Sequence, residues 1–255
     1  AAQDLRFVDS GGALLSYEIE TWNSSGESTV WVKVPSIAAS PTVTNIWMYY
    51  GNGVASDAQT PTTVWDANHL GVWHFKTNGN DSTINGNNAT VTGASNTTSN
   101  IGNGYSFAGG GNNIKPPNGM ISNTTTGTFE LLFKTSGTNV PLLGWSSSAY
   151  PTASGSMVPT AYIGIDGKIR AEQWVGSLNQ ITSSGTYNDN KWHHMAFALG
   201  GGSHSLYVDG ALIGTVTATI TTFANTNNYI GMADMAARPS TSGTWTAANS
   251  TVIDE

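Results

Sequence analysis

Apolar and polar residues alternate with a period of two along most of this chain, the pattern of strands that bury one face. Leu15, Tyr17 and Ile19 are expected on one face of a strand, with Glu18 and Glu20 directed outward. The valines of Val30-Trp31-Val32-Lys33-Val34 form the inner face of the next. Residues 43–50 are apolar on both faces, which predicts a strand covered on two sides and closed by the turn Gly51-Asn52-Gly53. A second series opens at Gly71-Val72-Trp73-His74-Phe75 and includes Phe129, Leu131 and Phe133 on one face, then Met195, Phe197 and Leu199. Two hairpins are signalled, around Asp166-Gly167 and Asp209-Gly210, because Asp-Gly supplies the positive φ that a two-residue turn requires. No ten-residue stretch carries the i, i+3, i+4, i+7 apolar stripe of a helix.

Strands spaced this closely and punctuated by glycine and proline predict an all-β, two-module β-sandwich protein. Residues 55–68 read as a connection, which divides the chain into a small domain over 1–66 and a larger one over 67–255. Residues 77–113 are dominated by Asn, Gly, Ser and Thr and are expected to hold short strands at 89–91 and 104–107.

Composition narrows the function classes. Charged residues are 10 % of the chain, against about 25 % in an average soluble domain, and sixteen acids against nine bases give a net charge of −7. Nucleic-acid binding, which needs a clustered basic surface, is excluded as an expectation. The absence of cysteine removes thiolate zinc sites, disulfides and a cysteine nucleophile together. No apolar run is long enough for a membrane-spanning helix, and the N-terminus lacks the n- and h-regions of a signal peptide. A surface of Asn, Thr, Ser and Gly suits an extracellular or cell-surface protein.

Two resemblances then organise the chain. Asp4-Leu5-Arg6-Phe7-Val8-Asp9, Leu15-Ser16-Tyr17-Glu18-Ile19-Glu20-Thr21-Trp22, Val30-Trp31-Val32-Lys33-Val34-Pro35 and Ile46-Trp47-Met48-Tyr49-Tyr50-Gly51-Asn52 resemble the DUF2341 family, over roughly residues 4–66. Val72-Trp73-His74-Phe75, Asp81 to Thr90, Gly102 to Phe107, Asn190-Lys191-Trp192-His193-His194-Met195-Ala196, Leu206-Tyr207-Val208-Asp209-Gly210 and Ile253-Asp254-Glu255 are similar to the laminin-G-like, concanavalin A-like lectin/glucanase jelly roll. The resemblance implies a jelly roll for the larger module. It also implies, from a loop and a final strand that lie close together in related folds, a structural calcium ion held by Asp81, Asn85, Asn87 and Asp254. In that family the Ile-Asp-Glu strand continues, so a chain ending there is expected to have a truncated last strand and an exposed sheet edge.

Catalysis is not expected. Glycosidic hydrolysis needs two carboxylates about 5–9.5 Å apart, and the Glu-x-Asp-x-x-Glu spacing of jelly-roll glucanases is absent. The chain has no Gly-x-Ser-x-Gly elbow and no His-Glu-x-x-His, and adjacent His193 and His194 face opposite ways on a strand. Sugar recognition needs aromatic platforms flanked by hydrogen-bonding groups. Arg170, Glu172 and Trp174 share one strand face that suits a polar groove, and Trp145, Tyr150 and Trp245 lie in Ser-, Gly- and Thr-rich surroundings; these six are the candidate ligand-binding residues. Trp22, Trp31, Trp47, Trp73 and Trp192, which lie within the resembling runs, read as packing. The expected function is non-catalytic extracellular carbohydrate recognition or adhesion, with glycans or polysaccharide as partners. The alternatives are a subunit of an extracellular filament or surface layer, self-associating by strand addition from a neighbour, and a glycoside hydrolase with an unrecognised site.

Overall fold

The computed structural model describes residues 2–120, 124–221 and 224–254. Its chain divides into two compact units, Ala1–His74 with Asp81–Gly86 and Phe75–Asn80 with Asn87–Glu255. This division differs from the expected break after residue 66. His74 inserts between Glu18 and Glu20, while Ser82 donates to Glu18 and Asp81 accepts from Val72, which draws both segments into the first unit.

The first unit contains β1 (Arg6–Val8), β2 (Leu14–Leu15), β3 (Tyr17–Thr21), β4 (Thr29–Val32), β5 (Trp47–Tyr49) and the single-turn helix α1 (Pro61–Val64). Strands β2, β1 and β5 form one small sheet in that order, and β3 pairs with β4 in a hairpin. Leu5, Phe7, Leu15 and Tyr17 are buried together, with Ile19, Val30 and Val32 packed against them. The Tyr17 hydroxyl donates to the Leu5 carbonyl at 2.8 Å, which satisfies the polar end of that buried ring. Two expectations are corrected here. Only Trp47–Tyr49 of the run 43–50 is a strand, paired with β1, and its side chains are exposed and not covered on two faces. Glu18 and Glu20, expected to face solvent, are buried, because the polar face of β3 is covered as well as the apolar one.

The second unit continues with β6 (Thr90–Thr92), β7 (Ser95–Thr98), β8 (Asn103–Ala108), β9 (Asn113–Lys115), β10 (Gly127–Thr135), β11 (Val140–Ser146), β12 (Thr160–Ile163) and β13 (Lys168–Trp174). It closes with β14 (Leu178–Thr186), β15 (Trp192–Gly200), β16 (Ser203–Val208), β17 (Ala211–Thr217), β18 (Asn227–Ile230), β19 (Met232–Asp234), β20 (Trp245–Ala247) and β21 (Asn249–Asp254). Two seven-stranded antiparallel sheets form the sandwich, ordered β17-β16-β15-β10-β21-β8-β7 and β14-β13-β12-β11-β18-β9-β6. Alternation sets the core: Phe107, Leu131, Phe133, Phe197 and Leu206 from the first sheet are buried, as are Leu143, Ala161, Ile169 and Ile181 from the second. Asp209 and Gly210 both have positive φ, 52° and 75°, and join β16 to β17 as the Asp-Gly signal predicts.

The last strand lies inside its sheet. β21 pairs with β10 through Thr251–Asp254 on one side and with β8 on the other. The expected exposed edge at that strand therefore does not occur, and the observation that motivated strand addition there is removed. Glu255 lies outside the described residues.

Candidate functional site

The groove face expected on β13 exists in register but not as an open surface. Arg170 stands opposite Tyr162 and Glu172 opposite Thr160, and the segment after β19 covers them. Tyr162 donates its hydroxyl to the Pro239 carbonyl at 2.9 Å and packs with Ala233 and Met235. Arg238 reaches down to bring Nη1 within 2.7 Å of Glu172 Oε1, and its Nη2 donates to the Met157 carbonyl and to Thr160 Oγ1. Glu172 is fully buried and also accepts from Gln180 Nε2 at 3.0 Å. Burial pushes its carboxyl up against the opposing pull of Arg238. Arg170 forms a bidentate pair with Asp166, both contacts at 2.7 Å, which holds the Asp166 carboxyl well below the usual carboxylate range. Neither Arg170 nor Glu172 presents a free group to a sugar. Trp174 is half-buried at the end of the strand. Trp145 is 4 % exposed, with its ring 5.0 Å from Phe129 of the opposing sheet, so it is core.

The other two candidates do come together. Tyr150, 44 % exposed, meets Trp245 edge-to-face at 5.7 Å, and Trp245 meets Tyr229 at 5.5 Å. Both contacts belong to the T-shaped geometry that favours aromatic pairs. The cluster is fixed by hydrogen bonds: Trp245 Nε1 donates to the Thr152 carbonyl at 2.8 Å, and the Tyr150 amide donates to the Tyr229 hydroxyl at 3.1 Å. Lys115 Nζ lies 5.5 Å from the Tyr229 ring centroid, a cation–π contact. The serine-rich loop beside Tyr150 is cross-tied by Ser147, Ser154 and Ser156, and Ser154 N–H donates to the buried Asp234. The result is an exposed tyrosine, Tyr150, on a braced aromatic base whose buried member, Tyr229, carries the Lys115 contact. Tyr229 and Lys115 had no distinguishing signal in the sequence: Tyr229 falls in an ordinary strand pattern, and no motif includes Lys115.

The four calcium candidates are placed as follows. Asp81 Oδ1 accepts from the Val72 and Thr83 amides at 3.0 and 2.9 Å, and Oδ2 accepts from Thr83 Oγ1 at 2.7 Å. Asn85 Nδ2 donates to the His69 and Leu70 carbonyls. Asn87 is half-buried ahead of β6, and buried Asp254 accepts from the Ile101 amide at 2.9 Å. Asp81 is thus met by protein donors, the arrangement of an Asx turn, which fits a cation poorly. Among the described residues, no three His, Asp or Glu side chains form a metal-holding group. No helix among the described residues is long and apolar enough to cross a membrane.

Residues 108–248, more than half of the sequence, match the concanavalin A-like lectin/glucanases superfamily. The chain belongs to that superfamily. Residues 1–77 match DUF2341, a domain of unknown function, in the order the sequence implied. The chain is similar to domain 4 of AbnA, a GH43 extracellular arabinanase from Geobacillus stearothermophilus, solved in complex with arabinotriose. The identity is 16 % and the TM-score 0.51, covering 73 % of this chain and 91 % of that one. A Trypanosoma rangeli sialidase in complex with 2,3-difluoro-KDN is similar at 20 % identity and TM-score 0.50, covering 80 % of this chain and 32 % of the sialidase. These likenesses show the fold. No curated protein matches the sequence.

Proposed function

We propose that the concanavalin A-like unit is a non-catalytic carbohydrate-recognition module of an extracellular or cell-surface protein, with Tyr150 and Trp245 as its sugar platform. The observation that carries this reading is the braced Tyr150–Trp245–Tyr229 cluster, which holds the exposed Tyr150 ring against Trp245, with Lys115 packed on the buried Tyr229 ring at its base. Pyranose and furanose rings offer apolar C–H faces to such rings and hydroxyls to their polar neighbours. The superfamily contains lectins as well as glucanases, and a related fold was solved with arabinotriose bound. The non-catalytic part of the proposal rests on Glu172, the carboxylate of the expected groove, being buried and ion-paired.

The test is isothermal titration of the whole chain with arabinotriose, xylotriose and cellotriose, repeated with Trp245→Ala and Tyr150→Ala. Binding of one probe that weakens at least tenfold in both variants supports the proposal. Equal affinity in wild type and variants overturns the assignment. Release of product from polysaccharide that is abolished by Glu130→Gln would overturn the non-catalytic reading.

A further inference from the structure

The first unit buries a set of ionisable groups whose arrangement has no counterpart in its apolar core. On the β3–β4 hairpin, Tyr17 pairs with Val32 and Ile19 with Val30, and these face the hydrophobic cluster. The opposite face carries Glu18, Glu20 and Trp31, with Glu18 directly across from Trp31. His74 lies over that face with Nδ1 2.9 Å from Glu20 Oε2 and Nε2 3.3 Å from Glu18 Oε2. All three side chains are at least nine-tenths buried.

Both carboxylates also hold a tryptophan. Trp31 Nε1 donates to Glu20 Oε2 at 3.2 Å, and Trp65 Nε1 donates to Glu18 Oε2 at 3.4 Å. Ser82 Oγ donates to Glu18 Oε1 at 2.9 Å. The imidazole stacks on Trp31 at 5.7 Å and 25°, and lies 5.5 Å from Trp65; the two indoles are 5.5 Å apart. Each indole is therefore fixed by its N–H edge and by a packed imidazole. Beyond them opens a cleft of about 350 Å³, walled by Trp31, Trp65, Val34 and Pro35, with Asp66 and His69 among its lining.

Stability alone does not explain this construction. Burying ionisable groups carries a desolvation penalty, and an apolar replacement of such a buried cluster is often neutral or better. The other face of the same hairpin shows that this sequence builds an apolar core where a core suffices. What the Glu18–His74–Glu20 bridge adds is a fixed orientation for two indoles that line a cleft, and pre-set side chains lower the ordering cost of binding.

We infer that this cleft is a second saccharide-binding site, taking a neutral sugar of one or two rings on Trp31 and Trp65. The volume is at the small end of the ~300–1,000 Å³ usual for ligand pockets, which fits a ligand of that size. Asp66 accepts from the His69 ring at 2.8 Å and from the Asn68 amide at 2.9 Å, and Lys33 Nζ donates to the Thr63 carbonyl at 3.1 Å. The cleft therefore mixes a carboxylate, an imidazole and an ammonium group, which suits hydroxyls better than an ion of either sign. Glu18, Glu20 and His74 are positioning residues here, since their burial keeps them from the ligand.

The experiment uses the full chain carrying Trp245→Ala, which removes the platform proposed for the other unit and keeps the two readings separable. Arabinobiose, xylobiose, cellobiose and maltose are titrated to ~10 mM, a range that captures weak millimolar sites, while the indole N–H signals are followed by NMR. Trp31→Phe and Trp65→Phe assign the two signals. The expected result is that one probe shifts both signals, that Asp66→Asn or His69→Ala, both at exposed positions, weakens binding at least threefold, and that Trp65→Ala weakens it at least tenfold. Glu20→Gln, which keeps an acceptor for Trp31, is expected to bind more tightly than Glu20→Ala at matched thermal stability. No shift with any probe overturns the inference, as does a shift whose midpoint the Asp66, His69 and Trp65 variants leave unchanged.

Discussion

Arg238 Nη1 lies 2.7 Å from Glu172 Oε1, with both side chains shielded from solvent. The contact fastens the segment after β19 over the face of β13 and closes a surface that its residue types would otherwise offer to a ligand. Desolvation disfavours the charged form of each partner, and their mutual attraction opposes that penalty. Glu172→Ala leaves a buried guanidinium uncompensated and is expected to destabilise the second unit by ~3–5 kcal/mol in urea unfolding. The double variant Glu172→Leu/Arg238→Met is expected to recover most of that loss. A double variant no more stable than the single one would contradict the pairing.

His193 gives the second unit a pH signature. Burial pulls its imidazole down, but hydrogen bonds to Asp209 at 2.8 Å and Asp189 at 3.0 Å more than offset this and raise it above the ordinary 6.5. The fold therefore favours protonated His193. That contribution is complete below the unfolded value near 6.5 and is lost as pH rises through the raised folded value. His204 acts in the opposite sense, since burial lowers it, and its contribution is complete above about 6.5. Above that pH the thermal midpoint of wild type is expected to fall towards that of His193→Asn. A constant gap between the two across the alkaline range would contradict the assignment.

Two glycines are expected to fail for different reasons. Gly231 has φ +73°, and an added Cβ would sit 2.3 Å from a ring carbon of Phe107. Gly231→Ala should destabilise by about 3 kcal/mol, combining overpacking with left-handed strain. Gly210 has φ +75° with open space around it, so Gly210→Ala should cost only the strain, about 1 kcal/mol. Equal losses in denaturant unfolding would contradict this distinction.

Calcium is tested by chelation. The Asp81 carboxylate already takes three protein donors, so the thermal midpoint is expected to be unchanged by chelator or by added calcium. A rise with calcium concentration, as linkage requires of a ligand bound only by the folded state, would establish the ion.

Much of the fold was legible because it depends on local pattern. Asp209-Gly210 specifies its own turn, and Phe129, Leu131 and Phe133 declare a face whatever covers it. The sites were less legible because coverage comes from distant chain. Glu18 and Glu20 alternate like a solvated face, and the groups that meet them include Trp65, His74 and Ser82, which come some fifty residues later. Glu172 carries the same ambiguity, resolved by Arg238 from beyond β19. Trp145 lies next to a serine run that suggests a loop, yet the pairing of β11 with β18 turns it towards Phe129. Tyr150 and Trp245 were legible as types; their contact, across some ninety residues, was not.

Sugar binding by the concanavalin A-like unit through Tyr150 and Trp245 is the proposed basis of recognition. Its most direct test is the calorimetric titration of wild type and Trp245→Ala with arabinotriose, xylotriose and cellotriose. Saturable binding of at least one probe by wild type is expected, with at least a tenfold loss, about 1.4 kcal/mol or more, in the variant. Undiminished binding by a folded Trp245→Ala chain, or no binding of any probe by wild type, would contradict it.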